Sequence, residues 1–420
     1  MTITLRGGRL IDPLSGTDEV ADVIIEKGRI ARIGPGDAPG EADVFDARGL
    51  LVCPGLIDMH VHFRQPGYEH KETIATGSRA AAMGGFARVV CEPNTKPPID
   101  DEKDLALVQE IAAREAVVRT HFKCCITTAQ RGKRLVDVEK IKQAGAAALS
   151  DDGEPVNDEQ VMERALQAAR DNDILVTPHC EESARRKAER GRAPVFDREP
   201  ELVQRDLSLA ERTGARLHIS HLSTREGALF LAASKDKGAQ VSAEVAPHHL
   251  VLSADMVPEK DANWKTNPPL RTHQDVEALQ KALADGVIEV IATDHAPHAP
   301  EEKAKGWARA PFGLIGLETA LGVILTHLVH RGKLGLEKAI AAMTCNPARI
   351  LGVQAGALRV GDAADVTLID PQKEWVVDPH QFQSKGRNCP FAGWRLKGRA
   401  VGTIVDGKWI VREGALVVQE

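Results

Sequence analysis

Eight short apolar runs, most of them separated by stretches of helical character, fill the middle of this chain, and few architectures accommodate such an alternation. The runs are Leu50–Met59, Ala87–Cys91, Val117–Thr127, Ala146–Ser150, Ile174–Thr177, Arg216–Ser220, Val241–Val245 and Val287–Thr293. Stretches rich in Ala, Glu, Lys and Arg predict helices over Thr73–Met83, Asp104–Arg114, Asp158–Asp171, Pro200–Thr213, Glu226–Lys235 and Thr272–Ala284. Strands covered on both faces read as continuous apolar runs, and parallel neighbours need a long crossover, usually a helix. The pattern therefore predicts an α/β chain folded as a (β/α)8 TIM-type barrel. A doubly wound open sheet is the alternative, but no GxGxxG stands at a strand-to-helix turn.

The two ends of the chain read differently. Short alternating runs at Thr2–Leu5, Val20–Glu26, Arg29–Ile33 and Asp43–Asp46, with a turn signal at Glu26-Lys27-Gly28-Arg29, predict a β-meander. The same texture returns at Asp365–Asp370 and Val401–Val411, where Asp406-Gly407-Lys408 makes the turn. Strands at both ends need a partner sheet, so the simplest expectation is a small composite β-sandwich formed by both termini with the barrel inserted between them. The expected division of the 420 residues is sandwich over 1–54, barrel over 55–354 and sandwich again over 355–420.

Composition narrows the class. Hydrophobic residues make up 43% and charged residues 27%, enough apolar content for a large core. A formal net charge of −6 gives no electrostatic reason to expect nucleic acid or a membrane surface as partner. The basic cluster Arg185-Arg186-Lys187 sits in a polar, helix-like stretch and reads as a solvated face. Seven scattered cysteines, without CxxC spacing, read mostly as small buried hydrophobes. The stretch from Thr2 lacks a signal-peptide pattern and no apolar run is long enough to span a bilayer, so a cytoplasmic location is expected.

In barrels of this kind the chemistry clusters where strands end, so the residues just past each run carry the information. The first ends in His60 and His62, the fourth in Ser150-Asp151-Asp152-Gly153, the fifth in His179-Cys180-Glu181, the sixth in Ser220-His221 and the eighth in Asp294-His295-Ala296-Pro297-His298. In an extended chain His60 and His62 project to one side with Cα atoms about 7 Å apart, a spacing that lets two imidazoles chelate one ion. Each strand end alone could be a cap or a turn. Four histidines and two carboxylates converging on one mouth exceed the needs of a single tetrahedral ion and point to two metals bridged by a carboxylate. Zinc suits imidazole and carboxylate ligands, with manganese, cobalt or iron as alternatives.

With these motifs in hand, the chain resembles the bacterial type I dihydroorotases of the amidohydrolase superfamily. The resemblance rests on Asp58-Met59-His60-Val61-His62-Phe63-Arg64, Glu92-Pro93-Asn94-Thr95, Ser150-Asp151-Asp152-Gly153, Asn267-Pro268-Pro269-Leu270-Arg271, Ala292 to His298 and Pro311-Phe312-Gly313, and it covers essentially the whole chain. It implies reversible cyclisation of N-carbamoyl-L-aspartate to L-dihydroorotate, a step of pyrimidine synthesis, with two Zn2+ per subunit as the expected cofactor. Carried over by motif, His60, His62 and Asp294 hold one ion, His179 and His221 the second, and Asp152 bridges. Asp151 is the alternative bridge if the register slips by one, and Lys123 is a remote alternative as a modified bridging lysine. His62, Arg64, Asn94, Asn267, His298, Phe312 and Gly313 are the implied substrate contacts, and Asp294 the implied proton shuttle. A homodimer and a complex with aspartate carbamoyltransferase are family expectations.

The residues leave blander readings open. Arg64, two past His62, projects to the same side and can fork onto a carboxylate, or it simply pairs with a loop acid. Asn94 has a lesser reading as a turn residue beside prolines and Phe312-Gly313 as a plain mobile loop, while His248-His249 reads at least as well as a structural doublet. The rival enzymes are hydantoinase, dihydropyrimidinase and allantoinase, whose cyclic substrates carry no carboxylate for Arg64 and Asn94 to meet. A rival of another class is a non-catalytic, dihydroorotase-like subunit that scaffolds aspartate carbamoyltransferase; such a chain is expected to have lost ligands, whereas all six positions are filled here.

Overall fold

The computed structural model describes residues 2–34, 42–182 and 198–417; the Arg185-Arg186-Lys187 cluster lies outside them. The fold is mixed α/β. Strands from both ends of the chain share one nine-stranded sheet. Its N-terminal members are Thr2–Asp12, Thr17–Glu26, Arg29–Ile33, Asp43–Asp46 and Leu51–Pro54, and its C-terminal members are Val366–Val376, Arg395–Val405, Lys408–Arg412 and Ala415–Leu416. The seam between the two ends is antiparallel, with Leu368 opposite Val52 and Thr367 opposite Cys53.

The β-structure expected from both termini is present, and hydrogen bonding joins its strands into a single sheet that bends back on itself. Phe45 and Trp409 lie on strands that are not neighbours in the sheet, yet their rings stack with centroids 5.1 Å apart. Trp409 Nε1 also donates to Asp43 Oδ2 at 3.1 Å. Ile3, Leu5, Val23, Val366, Leu368 and Ile404 fill the space between the folded limbs, all fully buried. Both turn signals form the expected tight reversals. Lys27 and Gly28 have φ of 50° and 79°, and Asp406 and Gly407 have 50° and 69°, the paired positive values that match a hairpin turn to strand twist.

Between these ends the strands run parallel. Leu56–Val61, Phe86–Cys91 and Arg119–Phe122 make one three-stranded sheet, and Leu217–Ile219, Val241–Val245 and Val290–Ile291 make another. Single parallel bridges run from Cys124 to Leu149, from Leu149 to Val176 and from Val176 to Leu217, and a further one joins Val61 to His295. The runs expected as strands at Ala146–Ser150 and Ile174–Thr177 are thus one bridge long. They are buried and bonded on both sides, but too short for a regular ladder.

The helices follow the sequence closely, because side-chain caps fix where they begin. Ile74–Met83 is capped by Thr73, Glu102–Glu115 by Asp101, Glu159–Asp171 by Asp158, Arg225–Asp236 by Thr224 and His273–Asp285 by Thr272. Each cap oxygen satisfies a backbone N–H that would otherwise lack a partner. Among the described residues no helix is long and apolar enough to cross a membrane.

The run Leu50–Met59 divides at Gly55 into two strands that serve different sheets. Leu51–Pro54 belongs to the terminal sheet and Leu56–Val61 to the first parallel sheet. A Cβ at position 55 would sit 2.4 Å from Ala87 Cβ, so only glycine lets the chain pass between them.

Candidate metal centre

His60 and His62 stand at the end of Leu56–Val61, facing the same side as the alternation of an extended chain requires. Backbone contacts fix this strand end. Asp58, fully buried, accepts from His60 N at 3.0 Å and from Thr293 N at 3.2 Å, tying the first strand to the segment that carries Asp294. Burial pushes the Asp58 carboxyl up to about 7, against those hydrogen bonds. His62 N donates to His295 O at 2.9 Å and closes the same contact from the other side.

The tautomers follow from the partners. His60 Nδ1 donates to Glu244 Oε1 at 2.6 Å, which leaves the Nε2 lone pair facing inward. That Nε2 is buried and has no hydrogen-bond partner. It lies 3.5 Å from Asp152 Oδ1 and 3.7 Å from Asp294 Oδ1. His62 Nδ1 donates to Asn94 Oδ1 at 3.0 Å, and its Nε2 faces Asp294 Oδ1 at 3.1 Å and Asp152 Oδ2 at 3.6 Å. On the far side of Asp152, Oδ1 lies 3.5 Å from His179 Nδ1 and 3.4 Å from His221 Nε2. These two imidazole nitrogens are 2.9 Å from each other.

Most of these nitrogen-to-oxygen separations are too long for good hydrogen bonds. They match the ~3.3–3.4 Å edge of a tetrahedron whose metal–ligand bonds are about 2.0–2.1 Å. The donor set therefore fits divalent metal of the zinc type. Two compact triads emerge, His60–His62–Asp294 and His60–Asp152–His221. His60 belongs to both, and His179 stands beside the second.

Electrostatics keep the acids charged. Burial alone would raise Asp152, but the surrounding imidazoles of His179, His221 and His60 hold it well below the ordinary carboxylate range. Asp294 is likewise lowered, burial being outweighed by His62 and by the charge of His60. Both can offer oxygen lone pairs at neutral pH. Asp294 has φ of +48° and His221 of +35°, backbone conformations unusual for non-glycine residues and common where a side chain must be aimed into a site.

Of the residues expected to contact substrate, Arg64 is half-buried, with Nε donating to Pro297 O at 3.3 Å. Burial lowers its guanidinium, while the charges of Asp294 and Asp152 push back. Asn94 spends its amide on this cluster, with Oδ1 on His62 and Nδ2 on Asp152 Oδ2 at 3.0 Å. Asn267 does the same for the other side: its Nδ2 donates to His179 Nε2 at 3.0 Å and to Glu182 O at 3.3 Å. His298 Nε2 donates to Phe312 O at 2.8 Å, which joins the Asp294 segment to the Phe312-Gly313 loop. Burial pushes this imidazole down to about 3, so it hydrogen-bonds as a neutral group. Lys265 Nζ sits 4.3 Å over the Phe312 ring and donates to Trp307 O and Ala310 O at 2.7 Å, pinning the same loop.

Three charged residues near the ligands carried little or no signal in the sequence. Glu244, within Val241–Val245, holds His60 and accepts from His218 Nε2 at 3.2 Å. Glu92 follows the second parallel strand with Oε1 3.6 Å from His60 Nε2, and it pairs with the fully buried Lys123. Burial would lower the Lys123 ammonium, yet Glu92 and Glu244 hold it above its ordinary value, so it acts as a cation. Asp151 turns away from the site and accepts from Ile126 N at 2.8 Å and Thr127 N at 3.1 Å. A lone acid inside an apolar run was the available signal for Glu244. His248 and His249 are buried on Pro247–Val251 and fall in no metal-competent group among the described residues. All seven cysteines are buried and free.

The model of the amidohydrolase family matches residues 51–410. The chain belongs to the amidohydrolase family. Among curated members of that family, the dihydroorotase of Syntrophotalea carbinolica is 45% identical over 419 residues, covering 97% of this chain and 98% of that protein. The dihydroorotase of Pelotomaculum thermopropionicum is also 45% identical, over 98% of this chain and 99% of its own length. Family likeness extends to solved structures. The L-hydantoinase of Arthrobacter aurescens superposes with a TM-score of 0.89 at 26% identity, covering 99% of this chain and 97% of that one. The dihydropyrimidinase of Brevibacillus agri gives 0.88 at 24% identity over 99% and 96%, a likeness of fold alone.

Proposed function

We propose that this amidohydrolase is a dihydroorotase, interconverting L-dihydroorotate and N-carbamoyl-L-aspartate in the cytoplasm. The observation that carries the reading is Arg64, a cation set against a buried cluster of four imidazoles and two carboxylates, where a ring bearing its own carboxylate needs a counter-charge. Identity to dihydroorotases near 45% over almost the full length, against 24–26% to the hydantoinase-type structures, favours the same substrate.

On this reading two Zn2+, when bound, supply Lewis acidity at the scissile carbonyl and lower the pKa of an attacking water. His60, His62, Asp152, His179, His221 and Asp294 would hold them. Arg64 orients the substrate carboxylate with a forked, charge-assisted contact. His298 contributes a neutral hydrogen bond, and Phe312-Gly313 walls the ring. Asn94 and Asn267 reach substrate only from the faces not spent on His62 and His179. An Asp294 carboxylate oxygen takes the proton of the attacking water as the ring amide C–N bond opens and delivers it to the departing nitrogen; cyclisation runs the same transfers backwards.

The parallel bridges from Cys124 to Leu217 and from Val61 to His295 support closing the two parallel sheets into an eight-stranded barrel. On that view the chain divides as residues 1–54, 55–354 and 355–420, with the hinge of the first division at Gly55. A homodimer and association with aspartate carbamoyltransferase remain family-based proposals.

The test is a substrate panel of dihydroorotate, hydantoin and dihydrouracil, followed by ultraviolet absorbance on metal-analysed protein. Turnover of dihydroorotate alone supports the reading. Turnover confined to the rings without a carboxylate transfers it to hydantoinase, and inactivity with metal bound transfers it to the scaffold subunit.

A further inference from the structure

At the end of the parallel strands opposite the candidate metal centre lies a second cavity, of about 280 Å³, bordered by Arg29, Gly55, Arg88, Arg119, Gln354 and Asp365. We propose that it binds one small tetrahedral oxyanion of the phosphate class. Arg88 carries the argument. It stands on Phe86–Cys91 and is 8% exposed, yet among the described residues its Nε has no hydrogen-bond partner. Its NH1 meets His121 Nε2 at 2.5 Å. That imidazole supplies no charge, because burial and two arginines push it down to about 4. The nearest carboxylate, Asp365, is 3.9 Å from Arg88 NH2 and is already engaged. Asp365 Oδ2 accepts from Arg119 Nε at 2.8 Å and Oδ1 from Asp406 N at 3.0 Å. Arg119 reaches Asp406 as well. Asp362, also on the lining, is exposed.

Arg88 is thus a buried cation short of an acceptor, and such a charge is costly unless paired and hydrogen-bonded. Water could occupy the space, at roughly 30 Å³ a molecule, but only an anion supplies both acceptor atoms and counter-charge. A guanidinium edge takes an oxyanion in a two-bond fork. Arg29, exposed at the rim and donating to Gly361 O at 2.7 Å, and Gln354 add further donors. The shared chemistry is that of free phosphate and of a phosphate carried on a small molecule whose remainder stays outside the rim.

Calorimetric titration of the intact metal-loaded chain tests this, with inorganic phosphate and ribose 5-phosphate as probes at fixed ionic strength. The expected result is saturable binding of one ion per chain that Arg88→Met weakens about tenfold or more, the weight of a charge-assisted pair. Equal binding of both probes assigns a carried phosphate, and exclusion of the sugar phosphate assigns the free ion. Arg29→Gln, a change at the exposed rim, should weaken binding severalfold with an unaltered melting temperature, which keeps the test open if Arg88→Met folds poorly. Absence of saturable heat, leaving water as the filling, overturns the proposal. So does wild-type affinity in both variants, since the ion would then sit elsewhere, at the metal centre included.

Discussion

His60 Nδ1 and Glu244 Oε1 lie 2.6 Å apart, both fully buried, and this contact decides which nitrogen of His60 faces the two aspartates. Glu244 stays ionised because its contacts with the His60 and His218 imidazoles outweigh burial and hold it well below the usual carboxylate range. A carboxylate behind a ligand imidazole fixes its tautomer and raises its basicity. Glu244→Gln should therefore lower metal affinity or turnover about 10–100-fold with little change in fold. Competition against a chelating dye measures the first and dihydroorotate turnover the second; an unchanged dissociation constant and rate would remove Glu244 from the site.

Asp294→Asn should leave dihydroorotate KM within a few-fold and reduce kcat by about 10²–10⁴, the usual range for a lost general acid–base. Steady-state kinetics with metal content measured on the same sample separates the shuttle role from simple loss of an ion. A variant that retains both metal and kcat would assign the proton transfer to another group.

Gly313 has φ of +125°, and a Cβ there would approach Ala296 Cβ to 2.7 Å and Ala296 O to 3.0 Å. Gly313→Ala should cost about 1–3 kcal/mol of stability and displace Phe312 from the ring wall. The expected signature is a lower melting temperature together with a raised KM. A variant with wild-type values of both would show that the loop has room this geometry denies.

Glu318 is half-buried, accepts from Gln383 N at 2.8 Å and Ser384 N at 3.2 Å, and is pushed up to about 8 by desolvation. The folded chain thus keeps a proton that the unfolded chain releases near pH 4.5, so this residue lowers stability as pH rises from there to about 8. Glu318→Gln keeps an acceptor and removes the titration. It should flatten the fall in melting temperature between pH 5 and 8 and add on the order of a few kcal/mol at the upper end. Parallel thermal melts across that range check it; identical slopes in both proteins would mean that Glu318 titrates normally.

How far the sequence could be read differs from element to element, for physical reasons. Val241–Val245 was legible to the residue, since a strand buried on both faces is a run of apolar side chains with turn residues outside it. The same rule merged two strands across Gly55, because an apolar run does not record which sheet each half joins. Leu149 and Val176 make single bridges although their runs look like their neighbours', as ladder length depends on what lies alongside. The joining of both termini into one terminal sheet turns on the Leu51–Pro54 seam, a pairing of residues more than 300 positions apart. Ligand candidates at strand ends stood out because histidine and aspartate interrupt the apolar pattern at equivalent points. Glu244 is not legible as a site residue, and Lys123 only as a remote alternative bridge: each sits within or beside an apolar run, and what it does depends on partners brought in by other strands.

The most direct test of the account is dihydroorotate hydrolysis by metal-stripped protein as Zn2+ is added back, with Asp152→Ala titrated alongside. The account predicts an inactive stripped chain, a rate that climbs until two ions per chain are bound, and an Asp152→Ala variant that fails to recover. Full activity in the stripped chain, or full recovery without the Asp152 carboxylate, would contradict a two-metal centre built on His60, His62, Asp152, His179, His221 and Asp294.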